Sequence, residues 1–137
     1  MADSQAPGML LFDLDGTLTD PFVGITRSIG HAMERMGRLA PEPESLRWCI
    51  GPPLHSGFRV LLDTEDDAML NAAVGHYRER YSAAGKFENL LIEGIPQALG
   101  ALQASGSRMV VATSKLETYA GDIIDHFGLR PYFSAVH

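Results

Sequence analysis

An apolar run that ends in two aspartates and a glycine constrains this chain more than any other stretch: Met9-Leu10-Leu11-Phe12-Asp13-Leu14-Asp15-Gly16-Thr17. It reads as a short buried strand that carries two carboxylates, one residue apart, into a glycine turn. Side chains on a strand alternate faces, so Asp13 and Asp15 are expected on the same side. Two like charges held that close repel unless a cation or a proton relieves them. Asp-Gly alone is an ordinary turn signal, and an aspartate can bond the backbone of its own turn. That accounts for Asp15-Gly16 and leaves Asp13 unexplained, a charge set into an apolar run where burial without a partner is costly.

Residues 20–86 then show helical patterns and no strand pattern. Leu18-Thr19-Asp20-Pro21 predicts a helix start with Asp20 as cap and Pro21 at the first helical position. Phe22, Ile25, Ile29, Met33 and Met36 follow at steps of three or four, one face of an amphipathic helix, with Gly37 as its stop. Pro41-Glu42-Pro43-Glu44 breaks the chain and opens a short helix through Leu46 to Ile50, and Gly51-Pro52-Pro53 forces a rigid turn. Residues 54–62 read as a helix with Phe58, Leu61 and Leu62 inward. The acidic run 63–67 suits the start of another, where negative charge meets the positive end of the helix dipole. Its buried face is Leu70, Val74, Tyr77, Tyr81 and Ala84, and Gly85 ends it.

The chain then changes character. Gly94-Ile95-Pro96 opens a helix through Leu99 and Leu102 that Ser105-Gly106 closes. Met109-Val110-Val111-Ala112 is a wholly apolar run of strand type that ends in Thr113-Ser114-Lys115. A helix carried by Tyr119, Ile123, Ile124 and Phe127 follows, and Tyr132 to Val136 reads as the start of a further strand. Strands alternating with helices predict an α/β fold with a parallel sheet, into which the helical block is inserted after the first strand. Sites in such sheets form beyond the carboxyl ends of the strands. Asp13, Asp15, Thr113 and Ser114 are therefore expected to converge. Lys115, at a helix start, is expected to be exposed.

Composition excludes several classes. The 137 residues suit one domain of ordinary globular make-up, 45% hydrophobic and 20% charged. A net charge of −6 argues against a general nucleic-acid binder. The one cysteine, Cys49, rules out an internal disulfide, fits a reducing compartment, and reads as a packed thiol among Leu46, Trp48 and Ile50. Residues 1–8 have no basic and apolar leader pattern, and no apolar run reaches membrane-spanning length, so a cytoplasmic location is the expectation.

An aspartate can accept a phosphoryl group as an acyl phosphate that water later hydrolyses. The route needs a second acid to protonate the leaving oxygen, donors around the phosphoryl oxygens and a metal ion. Asp13 can be the nucleophile and Asp15 the acid and base, while Thr113, Ser114 and backbone N–H groups of both turns can hold phosphate. Hard oxygen ligands favour Mg²⁺ over zinc.

Asp-Leu-Asp-Gly-Thr at residues 13–17 resembles the first motif of the haloacid dehalogenase-like phosphatases, and residues 110–115 resemble their second. The helical block looks like the cap these enzymes carry between the two. Ile50 to Leu54, Tyr77 to Tyr81 and Phe87-Glu88-Asn89 resemble the phosphoglycolate phosphatase-like group, some of whose members are described as 5′-nucleotidases. The resemblance implies a Rossmann-like core, 1–19 with 87–137, and a cap, 20–86. It also implies a Mg²⁺-dependent phosphomonoesterase acting on a small phosphorylated metabolite. Asp13 would be nucleophile and metal ligand, and Asp15 would be general acid/base and a metal ligand through its backbone carbonyl. Thr113 and Ser114 would bind phosphate.

The family continues past a strand like that at Phe133 to a lysine and an acidic pair, and on this reading the chain stops before them. Impaired turnover and self-association through an incomplete sheet are then expected. A phosphomutase and a non-catalytic phosphate-binding module are the alternatives. Gly121-Asp122-Ile123-Ile124-Asp125 imitates the acidic pair but follows no strand, so it is not expected to bind metal.

Overall fold

A computed structural model describes residues 8–137; the leader expectation for residues 1–7 lies outside the described residues. The chain divides into two compact units, one formed by the chain through Asp20 with Leu90–His137, the other by Pro21–Asn89.

The first unit is an α/β layer. Strands β1 (Met9–Phe12), β4 (Arg108–Val111) and β5 (Ala135–Val136) form a parallel sheet in the order β1-β4-β5. The register sets Phe12 opposite Val111, and Val111 opposite Val136. Helices α4 (Ile95–Ala104) and α5 (Glu117–His126) supply the second layer. Leu99 from α4 and Ala120, Ile123 and Ile124 from α5 bury against Met109, Val111, Phe133 and Val136, with Leu14 and Leu18 in the same core. Gly106, at φ +86°, closes α4 by letting Ser107 return its N–H to the Leu102 carbonyl.

Four sequence expectations change in this unit. β1 is not buried throughout: Leu10 and Phe12 pack on the core, while Met9 and Leu11 are 57% and 64% exposed. Alternation explains this, since among the described residues one face of the strand packs on the core. β1 also ends at Phe12, so Asp13 and Asp15 stand beyond the strand. Thr19–Asp20 (β2) and Leu90–Leu91 (β3) pair antiparallel, a two-residue ladder too short to leave a sequence pattern. Finally, residues 130–132 form a 3-10 turn at Pro131, and only Ala135–Val136 are strand.

The second unit is all helical: α1 (Phe22–Arg35), a 3-10 segment Pro43–Cys49, α2 (Leu54–Leu62), α3 (Asp67–Ala83) and a 3-10 turn Gly85–Phe87. The N-cap position of α1 is taken by Pro21, without a side-chain bond of its own, and Asp20, expected there, lies one residue earlier in β2. α1 stops as expected, with Gly37 at φ +76° and Arg38 donating to the Met33 carbonyl. Asp66 caps α3 by accepting from the Ala68 N–H at 2.9 Å. Ile25, Ile29, Met33, Leu46, Phe58, Leu62, Leu70, Tyr77 and Tyr81 are buried, whereas Ala84, expected inward, is exposed and Gly85 is buried. Burial pushes the Cys49 thiol up to about 11, as a packed thiol should be.

Two glycines let α1 meet the end of α3. A Cβ on Gly24 would lie 2.0 Å from the Gly85 carbonyl oxygen, and one on Gly85 would lie 2.6 Å from Ser28 Oγ. Beside this contact, Glu88 accepts from Arg27 at 2.7 Å and from Arg80 at 2.6 Å. Overpacking of this kind costs about 1–3 kcal/mol. G24A should lower the unfolding free energy by that amount, read by circular dichroism as a lower urea midpoint at an unchanged slope, because backbone opposite backbone has no rotamer through which to relax.

Candidate active site

The acidic turn is built around Leu14. Its side chain is fully buried in the core, and its carbonyl accepts the N–H groups of Thr17, Leu18 and Thr19 at 3.0–3.2 Å. Gly16, at φ +79°, returns its own N–H to the Thr19 carbonyl at 2.7 Å, closing the loop. Only a residue without Cβ takes that backbone easily. Asp13 and Asp15 flank the anchored Leu14. Asp13 is exposed, and its Oδ1 accepts from the Leu14 N–H at 2.7 Å.

The sheet brings the second strand end alongside. Ala112 donates to the Phe12 carbonyl at 2.8 Å, one step past the β1–β4 ladder, and Thr113 donates to the His137 carbonyl at 2.8 Å. Asp13, Asp15, Thr113 and Ser114 thus leave the same carboxyl edge of the sheet. Thr113 Oγ1 accepts from the Lys115 N–H at 3.2 Å, which shapes this turn, and Ser114 is exposed.

Lys115 departs from expectation. Its side chain is 9% exposed, and its Nζ lies 3.1 Å from Asp15 Oδ2. The signal was available in outline: β1 and β4 run parallel and end together, so residues three past Phe12 and four past Val111 leave neighbouring strand ends. What sequence does not give is the side-chain direction, and a lysine before a helix more often points to water.

Asp15 is the electrostatically unusual group. Burial raises its pKa above the ordinary carboxylate value; the charge and hydrogen bond of Lys115 oppose the rise, and the charge of Asp13 adds to it. Its Oδ1 is buried without a hydrogen-bond partner among the described residues. A carboxyl that is desolvated, beside a second carboxylate and at the edge of a sheet has the properties of an acid/base group.

The donors also bear on a metal. The Asp13 carboxylate and the Asp15 main-chain carbonyl are hard oxygens of the kind Mg²⁺ prefers, and Mg²⁺ commonly keeps several waters. Among the described residues no group of three His, Cys, Asp or Glu could hold a metal ion, so these oxygens fit Mg²⁺ in kind and fill only part of its shell. The mimic at residues 121–125 lies within α5, where Ile123 and Ile124 are fully buried and Asp125 is bonded to Arg130 at 2.8 and 3.0 Å.

The chain matches the family model for haloacid dehalogenase-like hydrolases over residues 10–137, and it belongs to that family. It is 44% identical over 128 residues to a 5′-nucleotidase from Pseudomonas aeruginosa, covering 93% of this chain and 58% of that protein. It is 39% identical over 132 residues to the tyrosine-protein kinase PtkA of Mycobacterium tuberculosis, covering 96% of this chain and 44% of that protein. A solved haloacid dehalogenase-like hydrolase from Streptococcus pneumoniae aligns with a TM-score of 0.85 at 28% identity, over 95% of this chain and 60% of that one. The chain therefore spans about half the length of the curated relatives it matches. No helix among the described residues is long and apolar enough to cross a membrane.

The raised Asp15 pKa has a measurable consequence. Between the unfolded value near 3.8 and the higher folded value, the folded chain binds more protons, so stability falls as pH rises through that window. Urea midpoints of wild type and D15N across this range should show wild type losing ground to the variant as pH climbs above 3.8. The difference should level off once Asp15 is ionised in both states. A pH-independent difference would mean that Asp15 is not perturbed.

Proposed function

We propose that the chain carries the nucleophile-bearing part of a Mg²⁺-dependent phosphomonoesterase that works through an aspartyl phosphate, with Pro21–Asn89 as its cap. The observation that carries this reading is the anchored turn, which sets an exposed carboxylate, Asp13, two residues from a desolvated one, Asp15, beside the Thr113 turn.

In the first step an Asp13 carboxylate oxygen attacks phosphorus and the bond to the leaving oxygen breaks, while protonated Asp15 gives its proton to that oxygen. In the second, Asp15 takes a proton from water as the water attacks phosphorus. The acyl phosphate is cleaved, inorganic phosphate leaves, and both carboxyls return to their starting states. The Thr113 hydroxyl, with Ser114 beside it, donates to the phosphoryl oxygens, whose charge is most in need of donors in the transition state. Magnesium held by the Asp13 carboxylate and the Asp15 carbonyl would supply charge neutralisation.

The substrate class is a small phosphorylated metabolite, with nucleoside monophosphates and phosphoglycolate first among those to try. The 5′-nucleotidase name belongs to a relative 44% identical and supports the nucleotide choice. The kinase name of another relative makes transfer to a tyrosine hydroxyl the second outcome worth measuring.

Phosphate release from a panel of these esters with Mg²⁺ tests the reading. D13N should fall to background. D15N should lose about 10²–10⁴-fold, and T113V about 10²–10³-fold in kcat, as for a lost oxyanion donor. Chelation should stop turnover and added Mg²⁺ restore it. Full activity in D13N would remove Asp13 from the mechanism; an isomerised phosphosugar or phosphotyrosine in place of free phosphate would make the chain a transferase.

A further inference from the structure

Lys115 is not used by the mechanism above, yet it is among the more enclosed charged side chains of its unit, 9% exposed against 22% for its partner Asp15. A lysine gives up hydration to be so placed, and that cost is recovered only through a specific partner. Its Nζ meets one oxygen of Asp15, Oδ2, at 3.1 Å, while Oδ1 stays buried without a partner among the described residues. The backbone is arranged to hold this contact. Lys115 is fixed through its own N–H to Thr113 Oγ1, and Asp15 is fixed by its bridge to Thr19 inside the Leu14 loop. Two turns from neighbouring parallel strands thus face each other across this ion pair.

We propose that Lys115 is a positioning residue for the reaction: it holds the Asp15 carboxylate in a single rotamer through Oδ2, so that the acid/base group is already oriented when substrate arrives. The proposal deepens the phosphomonoesterase reading and rests on it for its catalytic consequence. The ion pair itself does not. An aspartate χ1 without such a tether samples several staggered wells. Misplacement of a reacting group by about 1 Å can cost about 10²-fold. The effect belongs in kcat, since a residue acting through Asp15 leaves ground-state binding of substrate alone.

Two measurements decide it. Three-bond couplings in the ¹⁵N,¹³C-labelled chain should show one Asp15 χ1 rotamer in wild type and averaged couplings in K115M; an unchanged single rotamer in K115M overturns the proposal. Should K115M fail to fold, the pair is read from the lysine side. Slowly exchanging ammonium protons on Lys115 in wild type and their loss in D15N support it, and a Lys115 ammonium that exchanges freely in wild type overturns it.

With p-nitrophenyl phosphate and Mg²⁺, K115M should lose about 10- to 100-fold in kcat with little change in KM. K115R should recover part of that loss, its guanidinium being a charge of different shape. A rise in KM at unchanged kcat would place Lys115 on the substrate and overturn the proposal. D13N in the same assay separates the two levels: activity equal to wild type would sink the catalytic reading, while the couplings still decide the pair.

Discussion

The carbonyl of Leu14 is the group on which the site depends. It takes three backbone N–H groups while its side chain sits fully buried among the core residues of α4, α5 and the sheet. A carbonyl so loaded cannot rotate without breaking several hydrogen bonds at once, and a side chain so buried cannot leave without opening a cavity. Asp13 and Asp15 inherit their positions from that anchor. The two carboxylates stay close because the core holds the residue between them, and their mutual repulsion is answered by Lys115 and by the raised proton affinity of Asp15.

The parallel register does the rest. Because Phe12 stands opposite Val111, the two strands end together, and a turn that begins at Asp13 must meet one that begins at Ala112. Short strands suffice for this: β1 and β4 have four residues each, enough to fix register when one face of each is packed. The helical unit holds itself by different means. The close approach of Gly24 to Gly85 admits no side chain, and Glu88 draws Arg27 and Arg80 to the same corner. Arg80 and Arg27 hold the Glu88 carboxyl below the usual range, with the Arg80 hydrogen bond the largest cause, so that corner keeps its charge well into acid.

Much of this was legible in the sequence because it rests on local rules. Gly37 and Gly106 stop helices where a left-handed residue is needed. Ile25, Ile29, Met33, Leu70, Tyr77 and Tyr81 are buried where helical spacing puts them. The acidic motif and Thr113 reach one sheet edge because strand ends converge in any parallel sheet. The failures share another cause. β2 and β3 exist only because Thr19 and Asp20 find Leu91 and Leu90, about seventy residues on, and a two-residue ladder has no period to detect. Pairing with a distant strand likewise places Asp20 in β2, one residue before the cap position of α1.

The sequence by itself determined the order of elements, the α/β class and the pair of carboxylates, since each follows from spacing, side-chain period and turn chemistry within a few residues. Tertiary structure alone decided which of those carboxylates is desolvated, and that Lys115 turns inward to meet it. Burial and side-chain direction depend on what the rest of the chain packs against a group, and no local pattern carries that information.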